Sequence, residues 1–238
     1  MQSQTNWRTE AVFLLLGGVT MSFCLGSGLV GLLHSAGVAA FKSEESFAAI
    51  LLATLCFHGV LLALAVPFLK LHHVGWREAF GLQASGLGED LVLALRVLGV
   101  ILPVAWGLQA LCAFTLARLH WNADEQISVD LLLRAPSLGL RVYLALFAVV
   151  VAPVAEEFLF RGVLFPFMQQ QGYRRLAWVV PSLIFALIHL NLPTFLPLFV
   201  LALALTWLYN RTGRLAANIA VHSLFNAANV VLLFVFKP

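Results

Sequence analysis

Residues 149–165 read VVVAPVAEEFLFRGVLF, which sets two adjacent glutamates and an arginine inside an otherwise unbroken apolar run. The surrounding chain explains the run. Of its 238 residues, 61% are hydrophobic and 11% are charged, against roughly 25% charged in a soluble domain. Such a composition cannot give a water-soluble globule its usual polar surface. Several windows exceed the roughly 18 apolar residues that mark a membrane-spanning helix. The expected fold is all-α, a polytopic transmembrane helical bundle, with the lipid bilayer as its surroundings. No polar stretch is long enough to hold a separate soluble core, so residues 1–238 read as a single membrane domain.

Apolar segments run Ala11–Leu33, Phe47–Leu69, Leu91–Leu116 and Leu140–Phe167, with Arg96 interrupting the third near its start. The first lacks a small-residue cleavage pattern and reads as a retained span, not a removed signal peptide. From Leu176 to Asn210 there is no charge at all, and NLPTFLP at 191–197 breaks this stretch, because each proline removes a helix donor and restricts its predecessor. The halves are Leu176–Leu190 and Thr194–Tyr209. A last span covers Leu215–Phe236. Seven spans result, with an eighth if LLLRAPSLGL at 131–140 dips into the bilayer. The halves are short: about 15 residues at ~1.5 Å each reach ~22 Å, less than the ~30 Å hydrocarbon core.

On a seven-span reading, one side carries Arg8, Lys70, Arg77, Arg174, Arg175, Arg211 and Arg214. The other carries Lys42, Arg118, Arg134, Arg141 and Lys237. This asymmetry favours the amino terminus inside. Fourteen basic residues against eleven acidic ones form no cluster that reads as a nucleic-acid surface, so no nucleic acid is expected as a partner. Cys24, Cys56 and Cys112 lie singly in apolar segments, without the spacing of a disulfide framework or a zinc knuckle.

In the opening stretch, Glu157 and Arg161 are four apart and share a helix face, so they can pair. Glu156 is rotated about 100° from Glu157 and has Phe160 at its own i+4 position. Each charge at the centre of a span costs on the order of 3 kcal/mol. Pairing Glu157 with Arg161 relieves two of the three and leaves Glu156 as the carboxylate suited to a general base. Pro153, one turn upstream, should release the Val149 carbonyl and kink the helix.

A second polar point is FALIH, 185–189, where the Phe185 ring can pack beside the His189 imidazole. A third is NIAVHSLFNAAN, 218–229, where Asn218, His222, Asn226 and Asn229 form one polar stripe. Hydrogen-bonded helix glue would account for one or two such asparagines, less readily for the whole set. Ionisable groups in spans tend to face the bundle interior, so the three points should converge. A water between Glu156 and His189 could then be deprotonated, with His222 and Asn226 donating to a developing oxyanion. These residues leave hydrolysis, transport and structure open.

EEFLFR at 156–161, FALIH at 185–189 and HSLFN at 222–226 match EExxxR, FxxxH and HxxxN. In that order and spacing they resemble the CAAX protease and bacteriocin-processing family of intramembrane endopeptidases. APVAEEFLFRG, NRTGRLAANIAVHSLFN and, upstream, WREAFGL at 76–82 add to the likeness. The resemblance implies a bundle of about eight transmembrane helices, with 1–139 as variable amino-terminal spans and 140–236 as the catalytic core. It implies Glu156 as the catalytic glutamate activating water together with His189. His222 and Asn226 would form the oxyanion pocket, and Glu157 and Arg161 would hold the site in shape. The implied substrate is a membrane-associated peptide or protein, in some members lipidated, and the implied location a multi-pass position in a bacterial-type inner or plasma membrane.

The family has been described both as metalloproteases and as metal-free glutamate proteases, and the expectation here is no cofactor. HExxH is absent. Glu156, Glu157, His189 and His222 could nonetheless supply zinc ligands. Two other classes remain: a proton-coupled transporter, motivated by intramembrane carboxylates and proline-broken helices, and a non-catalytic peptide-binding or immunity membrane protein.

Overall fold

Several helix starts are written in short polar residues. The Ser46 and Ser137 hydroxyls accept from the N–H groups of Ala49 (3.3 Å) and Leu140 (3.2 Å), and the Asn191 amide oxygen accepts from that of Thr194 (3.1 Å). Each satisfies a donor that a helix leaves unpaired at its start. The structure, a computed structural model, describes residues 6–42, 46–82, 86–121 and 126–236. Lys237 of the charge tally lies outside these. Among the described residues there is no strand.

The described residues form nine helices in chain order: α1 Thr9–Ser35, α2 Phe47–Leu71, α3 Trp76–Ala79, α4 Leu87–Arg118, α5 Ile127–Arg134, α6 Leu138–Gln170, α7 Arg174–Leu187, α8 Leu192–Thr212 and α9 Leu215–Phe236. Six of them (α1, α2, α4, α6, α8 and α9) are long and apolar enough to cross a membrane. The chain is therefore a multi-pass helical membrane protein, with six such helices among the described residues and not the seven to eight expected. The missing seventh is α7. Its 14 residues rise only ~21 Å, short of the ~30 Å core. The eighth fails for a similar reason, since α5 has eight residues and gives way to Ala135, Pro136 and the Ser137 cap.

The described residues divide into two compact units, one running up to Gly75 and the other starting at Trp76. In the first, α1 packs on α2, and Gly26 permits the approach because an added Cβ there would overlap Cys56 Sγ. At the end of α2, His72 Nδ1 donates to the Phe68 carbonyl (2.7 Å) and its Nε2 accepts the Arg8 N–H (2.9 Å).

In the second unit, α4 lies against α8 and α9. Ala94, Ala105 and Ala217 admit close helix approach, while Ile101, Leu205 and Phe225 fill the seam. Trp106 of α4 donates its indole N–H to Asn229 Oδ1 of α9 (2.9 Å). The α3 segment is docked at the start of α9, where the Phe80 carbonyl accepts the Ala216 N–H (3.0 Å) and the Gly81 carbonyl accepts Arg214 Nη1 (2.6 Å). Arg214 also pairs with Asp90 near the start of α4. Phe80 stacks on Phe158, with ring centroids 6.4 Å apart.

Gly81 makes this docking possible. Its φ is +65°, and an added Cβ would lie 2.8 Å from Arg214 Cα. Gly81→Ala should therefore destabilise the fold by about 2 kcal/mol or more, read as a lower unfolding temperature in detergent. An unchanged temperature would show that this contact does not hold the segment in place.

Candidate functional site

The two glutamates sit on a short α-helical stretch, Ala152–Glu157, between two wider π-helical turns of α6, Phe147–Val151 and Phe158–Leu164. Such turns are frequent at functional sites, and a local cause is visible for the first. The Ala152 N–H reaches back five residues to the Phe147 carbonyl. In that register the next donor would come from residue 153, a proline, so the carbonyl left without its backbone donor is that of Ala148. Asn226 of α9 fills the gap, donating Nδ2–H to the Ala148 carbonyl (2.8 Å). The α-helical expectation named Val149. The π turn moves the break by one residue and recruits a side chain from α9.

Glu157 is fully buried and its oxygens are occupied. Oε1 accepts from Arg161 Nη1 (2.8 Å) and His222 Nδ1 (2.8 Å), and Oε2 accepts from Asn218 Nδ2 (3.2 Å). Arg161, also buried, places Nη2 on the Ala202 carbonyl of α8 (2.8 Å), and its guanidinium lies 5.2 Å from the Phe185 ring centroid. Glu157 and Arg161 thus tie α6 to α8 and α9. A buried charge is tolerable only when paired and hydrogen-bonded, and this arrangement meets both conditions for Glu157.

Glu156 is buried beside them, its Oε2 3.7 Å from His222 Nε2. One imidazole thereby spans two adjacent carboxylates. Because a carboxylate only accepts, Nδ1 carries the proton on the Glu157 side, and Nε2 is the atom turned toward Glu156. Nε2 can accept from a water, or donate to an oxyanion when it too is protonated.

His189 follows the end of α7, in a turn where Leu190 adopts φ +49°. This left-handed conformation is uncommon for a non-glycine residue and is one of the strained geometries that gather at functional sites. Its Nδ1 meets the Phe185 carbonyl at 2.7 Å. A carbonyl cannot donate, so Nδ1 holds a proton, and in the neutral form of the ring Nε2 presents a lone pair. Its ring packs on Phe185 with centroids 4.9 Å apart, and the same Phe185 ring meets His222 edge-on at 5.6 Å. His189 makes no hydrogen bond to Glu156 or His222 among the described residues.

The structure therefore brings Glu156, Glu157, Arg161 and His222 into direct contact. It sets Asn226 on the adjoining α6 carbonyl, and it links His189 to the group through Phe185. Asn218 was not singled out from the sequence for this cluster. Its signal was the +4 spacing to His222 on the polar stripe, but nothing in the sequence says that the stripe meets Glu157. Asn218 also donates to the Leu205 carbonyl (2.7 Å) and so anchors α9 on α8. Among the described residues, no three His, Cys, Asp or Glu side chains are grouped so as to hold a metal ion.

Residues 138–228 match the family described as type II CAAX prenyl endopeptidase Rce1-like, and that interval contains all three motifs. UPF0177 protein YxdF of Lactococcus lactis subsp. lactis (strain IL1403) is 30% identical over 91 residues, 37% of this chain and 50% of the relative. The chain thus spans about half the length of the curated relative it matches. No solved structure matches the chain. The resemblance carried by the motifs and the family match coincide: residues 138–228 of this membrane protein are similar to the type II CAAX prenyl endopeptidases described as Rce1-like.

Proposed function

We propose that the protein is an intramembrane endopeptidase that hydrolyses a peptide bond of a membrane-associated peptide or protein, with Glu156 as the general base and without a bound metal. The observation that carries this reading is the division of labour between neighbouring carboxylates. Glu157 is held by three donors from two helices, while Glu156 faces the outward nitrogen of His222 at 3.7 Å.

In this reading Glu156 takes a proton from water as the oxygen adds to the scissile carbonyl carbon, and the carbonyl electrons move to oxygen. His222, with Nε2 as well as Nδ1 protonated, and the second amide N–H of Asn226 donate to that oxyanion. Collapse of the intermediate breaks the C–N bond, and protonated Glu156 returns its proton to the departing amine. His189, its tautomer set by the Phe185 carbonyl, offers Nε2 as a further acceptor for the attacking water. Glu157, Arg161 and Asn218 orient His222 and keep Glu156 in register.

A proteomic comparison of membranes carrying the native chain or its Glu156→Gln form should reveal peptides whose termini depend on Glu156. Identical termini in the two membranes would count against the reading. With a peptide identified in this way, cleavage by the purified native protein should persist in a strong zinc chelator. Full inhibition that zinc restores would instead make Glu156, Glu157, His189 and His222 a metal site.

A further inference from the structure

The arginines of the second unit are distributed unequally in what they touch. Phe165 fixes one end of the bundle: its ring meets Trp178, one turn into α7, at 5.9 Å, and Tyr209, in the last turns of α8, at 6.1 Å. Arg174 and Arg175 at the start of α7 and Arg211 at the end of α8 therefore lie at one level. Arg77 joins them, because the α3 segment is docked on Arg214 and Ala216, immediately beyond α8. All four are exposed, and none of their side chains has an ion pair, hydrogen bond or ring contact among the described residues. Glu78 and Glu89 are the acidic residues exposed at this end, and Asp90 is committed to Arg214.

At the end of α4, in α5 and at the start of α6 the arginines are engaged within the protein. Arg118 lies over Phe114 (5.0 Å), Arg134 pairs with Asp130 (2.7 Å) and Arg141 donates to the Ala135 carbonyl (3.2 Å). Exposed guanidinium groups left over at one end of a lipid-embedded bundle are matched chemically by phosphate oxygens, which accept their paired N–H groups. Trp76 and Tyr173 are exposed at this end as well, where amphipathic rings settle at headgroup level.

We propose that Arg77, Arg174, Arg175 and Arg211 form a surface that binds acidic phospholipid headgroups of the adjoining leaflet, and so fixes which end of the protein faces the cytoplasm. This binding is separate from the hydrolytic reading. It uses none of the motif residues and would hold if the protein cleaved nothing.

The test is native mass spectrometry of the full chain, equilibrated with an equimolar mixture of phosphatidylglycerol and phosphatidylcholine. Both lipids carry a phosphate, but only the first is net negative. The native protein should retain phosphatidylglycerol in preference. Each of Arg77→Gln, Arg174→Gln, Arg175→Gln and Arg211→Gln should weaken that retention about fivefold. Arg118→Gln and Arg141→Gln should leave it unchanged. Raised salt should weaken retention by the native chain, and excess inorganic phosphate at constant ionic strength should not displace the lipid. Equal retention of the two lipids, equal losses in the Arg118 and Arg141 variants, insensitivity to salt or displacement by phosphate would each overturn the proposal.

Discussion

Arg161→Met is expected to unfold the protein at a much lower temperature than the native chain, with a loss of about 3–5 kcal/mol. Methionine fills a similar volume, so the loss is not a cavity effect. It arises because Glu157, buried against α9, would retain only His222 and Asn218 as partners for its negative charge. The Ala202 carbonyl would also lose a donor. Adding Glu157→Gln removes the stranded charge, so the double variant should recover a large part of the lost stability. That non-additive recovery is the signature of direct coupling. Thermal unfolding of both variants in the same detergent checks it. A double variant no more stable than Arg161→Met would mean that Arg161 acts by packing on Phe185 rather than by neutralising Glu157.

How much of this site the sequence could disclose depends on distance along the chain. The Glu157–Arg161 pair was readable because helix geometry alone puts residues four apart on one face. The packing of the His189 ring beside Phe185 was readable for the same reason. Local periodicity cannot say which face of α9 meets α6, so the sequence did not reveal that His222 binds Glu157 through one nitrogen while facing Glu156 with the other. It likewise left Asn218 as undifferentiated helix glue.

The π turns were invisible because they depend on a partner. A carbonyl opposite Pro153 is affordable at Ala148 only because Asn226 arrives from 78 residues away. The bundle itself was legible from composition, since so apolar a chain has no soluble alternative. The span count was legible only in part: the shortness of the 176–190 segment was visible in the sequence, but nothing local says whether so short an apolar helix, α7 here with 14 residues, crosses or stays within the bundle.

The other large effect concerns chemistry and not stability. Glutamine at position 156 keeps the shape of the side chain but cannot take a proton from water. General-base catalysis contributes about 10²–10⁴-fold, and Glu157, Arg161, Asn218 and His222 keep their mutual hydrogen bonds without the Glu156 carboxylate. Glu156→Gln should therefore unfold near the native temperature and yet cleave its peptide about a hundredfold to ten-thousandfold more slowly. The decisive measurement is the single-turnover cleavage rate of reconstituted native and Glu156→Gln proteins, on a membrane peptide whose terminus depends on the native chain. A folded but inactive variant is the predicted result; a folded variant cleaving at the native rate would contradict the account.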